Sequence, residues 1–270
     1  MTAPAPESPP ADDSRFVSTV WAVAVIVVAL VVGLIAWLAL GDRDAARTAG
    51  APTAPGTTTS APATPSATPE AAAQTAPPEV RQLMLELQRR DPADPMAVGD
   101  VDAPVVMIEY ADYRCPYCAK FAAQTRPQLQ ELVDDGTLRI EFRDLVLFED
   151  VSRQAAVAAR AAAGQDRMEA YQEVLFARSV DGQAELDRDD LLALAEEAGV
   201  PDLAAFEQAL DDLALGAAVD ADTAEARALG ITSTPTFLVN TTVVAGAAEL
   251  DHFLDVIEQE RVDAEDADDA

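Results

Sequence analysis

Cys115 and Cys118 are the only cysteines in this chain of 270 residues, and they stand in the string Cys115-Pro116-Tyr117-Cys118. Two thiols at that spacing can open and close a disulfide, or they can supply half of a four-ligand zinc site. Their surroundings favour redox chemistry. Val105 to Tyr110 (VVMIEY) is a short apolar run suited to a buried strand, and a helical pattern begins directly after the first cysteine. At a helix N-terminus, unpaired backbone N–H groups and the positive end of the dipole favour thiolate over thiol. A second element, Thr234-Pro235-Thr236-Phe237, places a proline at the head of a strand 117 residues beyond Cys118.

The elements that must position these residues follow from periodicity. Val80 to Arg90 reads as a short amphipathic helix, with Val80, Leu83, Met84 and Leu87 on one face, and the DPADP segment then stops it. A helix is expected from about Pro116 to Val133, a turn at Asp134-Asp135-Gly136, and an alternating strand from Leu138 to Val146. Alanine- and leucine-rich helices are expected over 152–163, 167–178, 189–198, 203–213 and 217–229, most of them separated by glycines. Strands at Thr236–Val239 and Thr242–Ala245 flank a tight turn at Asn240-Thr241, and a helix over 250–260 closes the domain. The fold class is α/β, a sheet with a helical block inserted at about 150–230.

This order, with Cys-x-x-Cys after a central strand, resembles the thioredoxin fold. The helical insertion and the string from Glu109 to Cys118 (EYADYRCPYC) resemble the DsbA family of extracytoplasmic disulfide oxidoreductases, in particular membrane-anchored actinobacterial members. The resemblance covers roughly residues 90–262. It implies that Cys115 is the exposed, attacking thiolate and Cys118 the shielded thiol that resolves the mixed disulfide. Pro116 suits the first helical turn, where its missing N–H costs nothing, and with Tyr117 it forms the dipeptide that tunes the thiolate. Thr234 and Pro235 match the loop that holds a cis-proline beside the dithiol and pairs with a substrate chain in strand fashion. Glu109 matches a buried acid beneath the dithiol that shuttles the proton of Cys118; otherwise it is a strand-end acid facing solvent. Arg114 adds a positive charge near Cys115, or is a solvated arm.

Upstream, Phe16 to Leu40 is 25 residues without a charge, with Trp21 and Trp37 near its ends, enough to span a bilayer. The run is longer than a signal-peptide core, and residues 1–15 are not net positive, so a retained anchor is expected. Arginines on both sides leave its orientation open, and the dithiol decides: a disulfide belongs outside the cytoplasmic membrane. Residues 41–79 form a linker whose Thr/Ala/Pro/Ser stretch from Thr48 lacks Leu, Ile, Val and Phe; it reads as an extended stalk or a plain spacer. The soluble domain is expected over 80–262, with a disordered acidic tail over 263–270.

The formal charge is −30, and residues 80–262 carry 36 acids against 15 bases. Such a surface excludes nucleic acid and anionic lipid surfaces as partners. The expected partners are secreted or cell-envelope proteins bearing cysteines, a membrane redox partner, and the bilayer through residues 16–40. No cofactor or metal is expected, since one histidine and two cysteines cannot close a zinc site. That histidine, His252, lies off the apolar face of the last helix. The sequon at Asn240-Thr241-Thr242 fits a hairpin turn and needs no sugar. Three functions compete: an oxidant of secreted proteins, a reductant of the same fold serving cytochrome c maturation or disulfide repair, and a stalked binding protein with an inert disulfide.

Overall fold

The computed structural model describes residues 77–180 and 186–268. The expected span over 16–40, the stalk up to residue 76 and the glycine at 182 lie outside them. Among the described residues no helix is long and apolar enough to cross a membrane. Helix α1 (Pro78–Glu86) leads into a two-residue strand β1 (Ala97–Val98) and the central strand β2 (Val105–Ala111). Helices α2 (Pro116–Gln124) and α3 (Arg126–Asp134) precede β3 (Leu138–Asp144). Five helices follow: α4 (Glu149–Ala163), α5 (Met168–Arg178), α6 (Arg188–Glu197), α7 (Leu203–Ala209) and α8 (Leu213–Ala228). The hairpin β4 (Thr236–Val239) and β5 (Thr242–Ala245) and helix α9 (Leu250–Asp268) complete the order.

The sheet runs β1-β3-β2-β4-β5, with β2 parallel to β3 and the other pairs antiparallel. Every residue of β2 is buried, as a strand covered on both faces must be. One face packs Met107, Phe142 and Phe237 against α2, α3 and α9, where Phe121, Phe237 and Phe253 stack with centroids 4.5–5.2 Å apart. Each such aromatic pair adds about 0.5–1.5 kcal/mol beyond its buried area. The other face packs Val106, Ile108 and Tyr110 against α1 and α8. The inserted helices have their own core, rich in the small side chains of α4, and Cys115 and Cys118 belong to it rather than to the sheet's core.

Four expectations change. The single helix over 116–133 is two, because Pro127 has no N–H and its ring would collide with the carbonyl four residues back; the chain turns at Thr125. The polar positions of β3 do not face water: Arg139, Glu141, Arg143 and Asp144 are all buried in a network of their own. Helix α7 stops at Ala209, and the side chain of Asp212 accepts from the Ala214 N–H to start α8. The acidic tail continues α9 as far as Asp268, with Arg261 paired to Glu258 and Glu265 across successive turns. The hairpin strands lie where the sequence put them. Asn240 adopts φ +40° between them, and its buried amide accepts from Val106 N–H (2.9 Å) and donates to Pro104 O (3.0 Å), which ties it into the fold. His252 is exposed.

Candidate active site

The turn after β2 delivers the cysteines. Asp112 is the knot of that turn: its backbone carbonyl accepts from Cys115 N–H (3.0 Å). Its Oδ1 accepts from Arg114 N–H (2.8 Å) and from Ser152 Oγ–H (2.7 Å), and its Oδ2 from Leu147 N–H (2.7 Å). One buried carboxylate therefore fixes the dithiol turn to the start of α4. Beside it Phe148 lies under the Arg114 guanidinium at 5.7 Å, and Leu147 and Phe148 stay partly exposed.

Cys115 is the N-cap of α2, with Pro116 at the first helical position. Both cysteines are free thiols. Cys115 is 5% exposed, more enclosed than the open thiol expected, because the loop before β4 lies against it. That loop carries a cis Thr234–Pro235 bond, and Cys115 Sγ–H points to Thr234 O at 3.3 Å. Tyr117 is exposed and shares a shallow depression with Thr234, Pro235 and the Ala245–Ala248 segment. Cys118, one turn further along α2, is fully buried.

The two sulfurs have opposite electrostatics. The Cys115 thiol is lowered to about 6: the hydrogen bond from Cys118 dominates, burial opposes it, and the N–H groups of Cys118 and Tyr117 add to the lowering. Cys118 is pushed well up by burial, by its role as donor to Cys115, and by the nearby negative charges of Cys115 and Glu109. One sulfur is thus prepared as a nucleophile and leaving group, the other as a protonated reserve.

Glu109, in β2, is fully buried behind this pair, so the solvent-facing alternative is excluded. Both its carboxylate oxygens accept from Arg126 Nη2 at 3.0 Å. Burial raises its pKa and Arg126 opposes the rise. The structure thus brings together Cys115, Pro116, Tyr117, Cys118, Thr234 and Pro235, with Glu109 behind Cys118. Sequence reasoning missed Arg126 and the clamping role of Asp112. Pro127 was the available signal for the first, since a broken helix turns Arg126 inward. Among the described residues no group of three or more His, Cys, Asp or Glu side chains is placed to hold a metal ion.

Comparison with known proteins agrees with this geometry. A family model described as thioredoxin matches residues 92–259. The chain is 29% identical over 167 residues to disulfide bond formation protein D of Bacillus subtilis strain 168, covering 60% of this chain and 75% of that protein. The crystal structure of oxidised BdbD from Bacillus subtilis superposes with a TM-score of 0.57 at 28% identity, over 62% of this chain and 92% of that one. Wolbachia pipientis alpha-DsbA1 gives a TM-score of 0.57 at 28% identity, over 68% and 97%. The chain also matches curated sodium/proton antiporters, but spans only 22% to 26% of their length.

Proposed function

The chain belongs to the thioredoxin family, and from that premise we propose that it oxidises cysteine-bearing secreted or cell-envelope proteins from the outer face of the membrane. It is a DsbA-like protein disulfide oxidoreductase. The observation that carries the oxidising direction is the contrast between the two sulfurs: the more the reduced form is stabilised as a Cys115 thiolate, the more strongly the disulfide oxidises.

In the proposed cycle a substrate thiolate attacks Cys115 Sγ of the Cys115–Cys118 disulfide. The S–S bond breaks, its electron pair leaves on Cys118, and Glu109 supplies the proton that Cys118 takes up. A second substrate thiolate then attacks the substrate sulfur of the mixed disulfide, and Cys115 leaves as thiolate. The substrate gains a disulfide, the two electrons stay on the dithiol, and a membrane redox partner removes them. The depression bounded by Tyr117, Thr234 and Pro235 would seat the substrate chain beside Cys115, with the Thr234 backbone offered for strand pairing. Residues 16–40 would anchor the chain in the bilayer, residues 1–15 would stay cytoplasmic, and the linker over 41–79 would hold the catalytic domain, residues 80–262, outside.

The test is disulfide formation in a reduced, secreted-type test protein with the purified full chain and a glutathione buffer. Turnover is expected in wild type and none in Cys115→Ser, while Cys118→Ser accumulates mixed disulfides. Turnover retained in Cys115→Ser would reverse the assignment of the two sulfurs. Protease added to intact cells should release a fragment beginning within residues 41–79; protection of the domain until lysis would contradict the placement.

A further inference from the structure

Arg126 is built into the site with more contacts than a bystander cation needs. Its Nη2 holds both oxygens of Glu109, and its Nη1 donates to Gln172 Oε1 at 2.9 Å. Gln172, itself buried, donates from Nε2 to Tyr113 Oη at 2.9 Å, so the chain of bonds returns to the dithiol turn. Three rings surround the guanidinium, with the centroids of Phe142, Phe176 and Phe121 at 4.7, 5.6 and 5.9 Å from Cζ. A planar cation gripped in this way has one position, and so does the carboxylate it holds.

Glu109 is fully buried, and a buried carboxyl without a counter-cation takes up a proton and ceases to be a base. We propose that Arg126 is a positioning residue for the dithiol, holding Glu109 behind Cys118 and leaving it able both to take up and to release a proton, so that Cys118 exchanges its proton with Glu109 rather than with water. This rests on the relay assigned to Glu109 above and adds the group that sets it. When Cys118 expels a thiol bound to Cys115, its proton passes to Glu109 and its sulfur lone pair forms the Cys115–Cys118 bond. The Cys115–substrate bond breaks, and the pair leaves on the substrate sulfur. In the forward direction the same proton returns to Cys118.

The other titratable and charged groups around the pair are few. Cys118 faces it from α2, with Cys115 beyond it at the helix N-cap, and Tyr113 from the turn after β2, with Asp144 of β3 and Arg160 of α4 acting on Tyr113 in turn. Glu169 and Glu173 of α5 line the cavity that opens beside Arg126. Phe237, the β4 residue opposite Glu109, carries no charge. Arg126 alone among these supplies hydrogen bonds to the carboxylate.

The experiment follows Cys118 expelling glutathione from a Cys115–glutathione mixed disulfide, by rapid mixing between pH 5 and 10. Full-length wild type, Arg126→Met, Arg126→Gln, Arg126→Lys and Glu109→Gln are compared. Arg126→Met and Arg126→Gln are expected to slow the step at neutral pH by about tenfold and to move the pH midpoint upward, as does Glu109→Gln; a tenfold loss corresponds to about one pH unit of displacement. Arg126→Lys restores most of the rate. Each Arg126 variant is also combined with Glu109→Gln, and the pairs are expected to be no slower than Glu109→Gln alone. If the apolar variant fails to fold, the glutamine variant decides. A changed profile in Glu109→Gln with an unchanged one in Arg126→Gln overturns the role of Arg126. Unchanged profiles in both overturn the Glu109 relay beneath it.

Discussion

Glu109 and Glu141 are both fully buried glutamates on neighbouring strands of one sheet, yet they are set in opposite directions. Burial pushes Glu141 up, but the N–H groups of Arg89 and Arg90 (2.9 and 2.8 Å) and the guanidinium groups of Arg143 and Arg139 together bring it below the usual carboxylate range. Glu109 accepts from one arginine and, among the described residues, from no backbone N–H, and burial wins. Around Glu141 the network widens to Asp222, which pairs with Arg89 and Arg160, and to Asp144, raised to about 6 by burial and held by Arg160. A carboxylate whose lone pairs are filled serves structure. One left with a single partner beside a dithiol can still trade a proton.

The largest expected effect lies on the structural side. Glu141→Leu should destabilise the protein by about 3–5 kcal/mol in denaturant titration, because it strands buried arginines, while thiol reactivity in the folded fraction stays as in wild type. Altered Cys115 reactivity in that variant would erase the distinction between the two sites. Glu109→Gln should shift stability by about 1–2 kcal/mol at most, yet slow the proton-coupled step of Cys118.

The pH dependences should also diverge. Glu109 is raised in the fold, so its stabilising contribution is present below the unfolded carboxylate pKa and disappears as pH rises through its folded value. Glu141 is lowered, so its contribution is present above the unfolded pKa and disappears as pH falls. Subtracting the stability–pH curves of Glu109→Gln and Glu141→Gln from that of wild type should give slopes of opposite sign; equal signs would break the comparison. The reduced dithiol adds a third curve. Cys115 is lowered to about 6, so its contribution is complete above the ordinary thiol pKa and is lost as pH falls through about 6. The difference between reduced wild type and Cys115→Ser should show it. The smallest effect is expected at the surface, where Arg261→Ala removes exposed pairs to Glu258 and Glu265 and should leave the unfolding midpoint unmoved.

The sequence made one of these two sites legible and hid the other. The dithiol, the proline loop and strands β4 and β5 were readable because each is a local pattern: two thiols at fixed spacing, a proline before a β-branched run, a two-residue turn. Arg126 was not, since a helix read continuously through Pro127 puts it only at the margin of the apolar face, where a long charged side chain normally reaches out to water. The network around Glu141 was hidden for a related reason. An alternating LRIEFRD pattern normally means one wet face, and only the packing of α1 and α8 against it shows that those charges satisfy one another instead. The enclosure of Cys115 depends on a loop 119 residues away, which no local pattern reports.

The oxidising direction is the central claim, and equilibration of the Cys115/Cys118 couple with glutathione buffers measures it most directly. An oxidant should equilibrate at roughly −120 to −200 mV, above thioredoxin, and the lowered Cys115 thiol points in that direction. A value near −270 mV, on the scale where thioredoxin sits, would contradict it and make the protein a reductant.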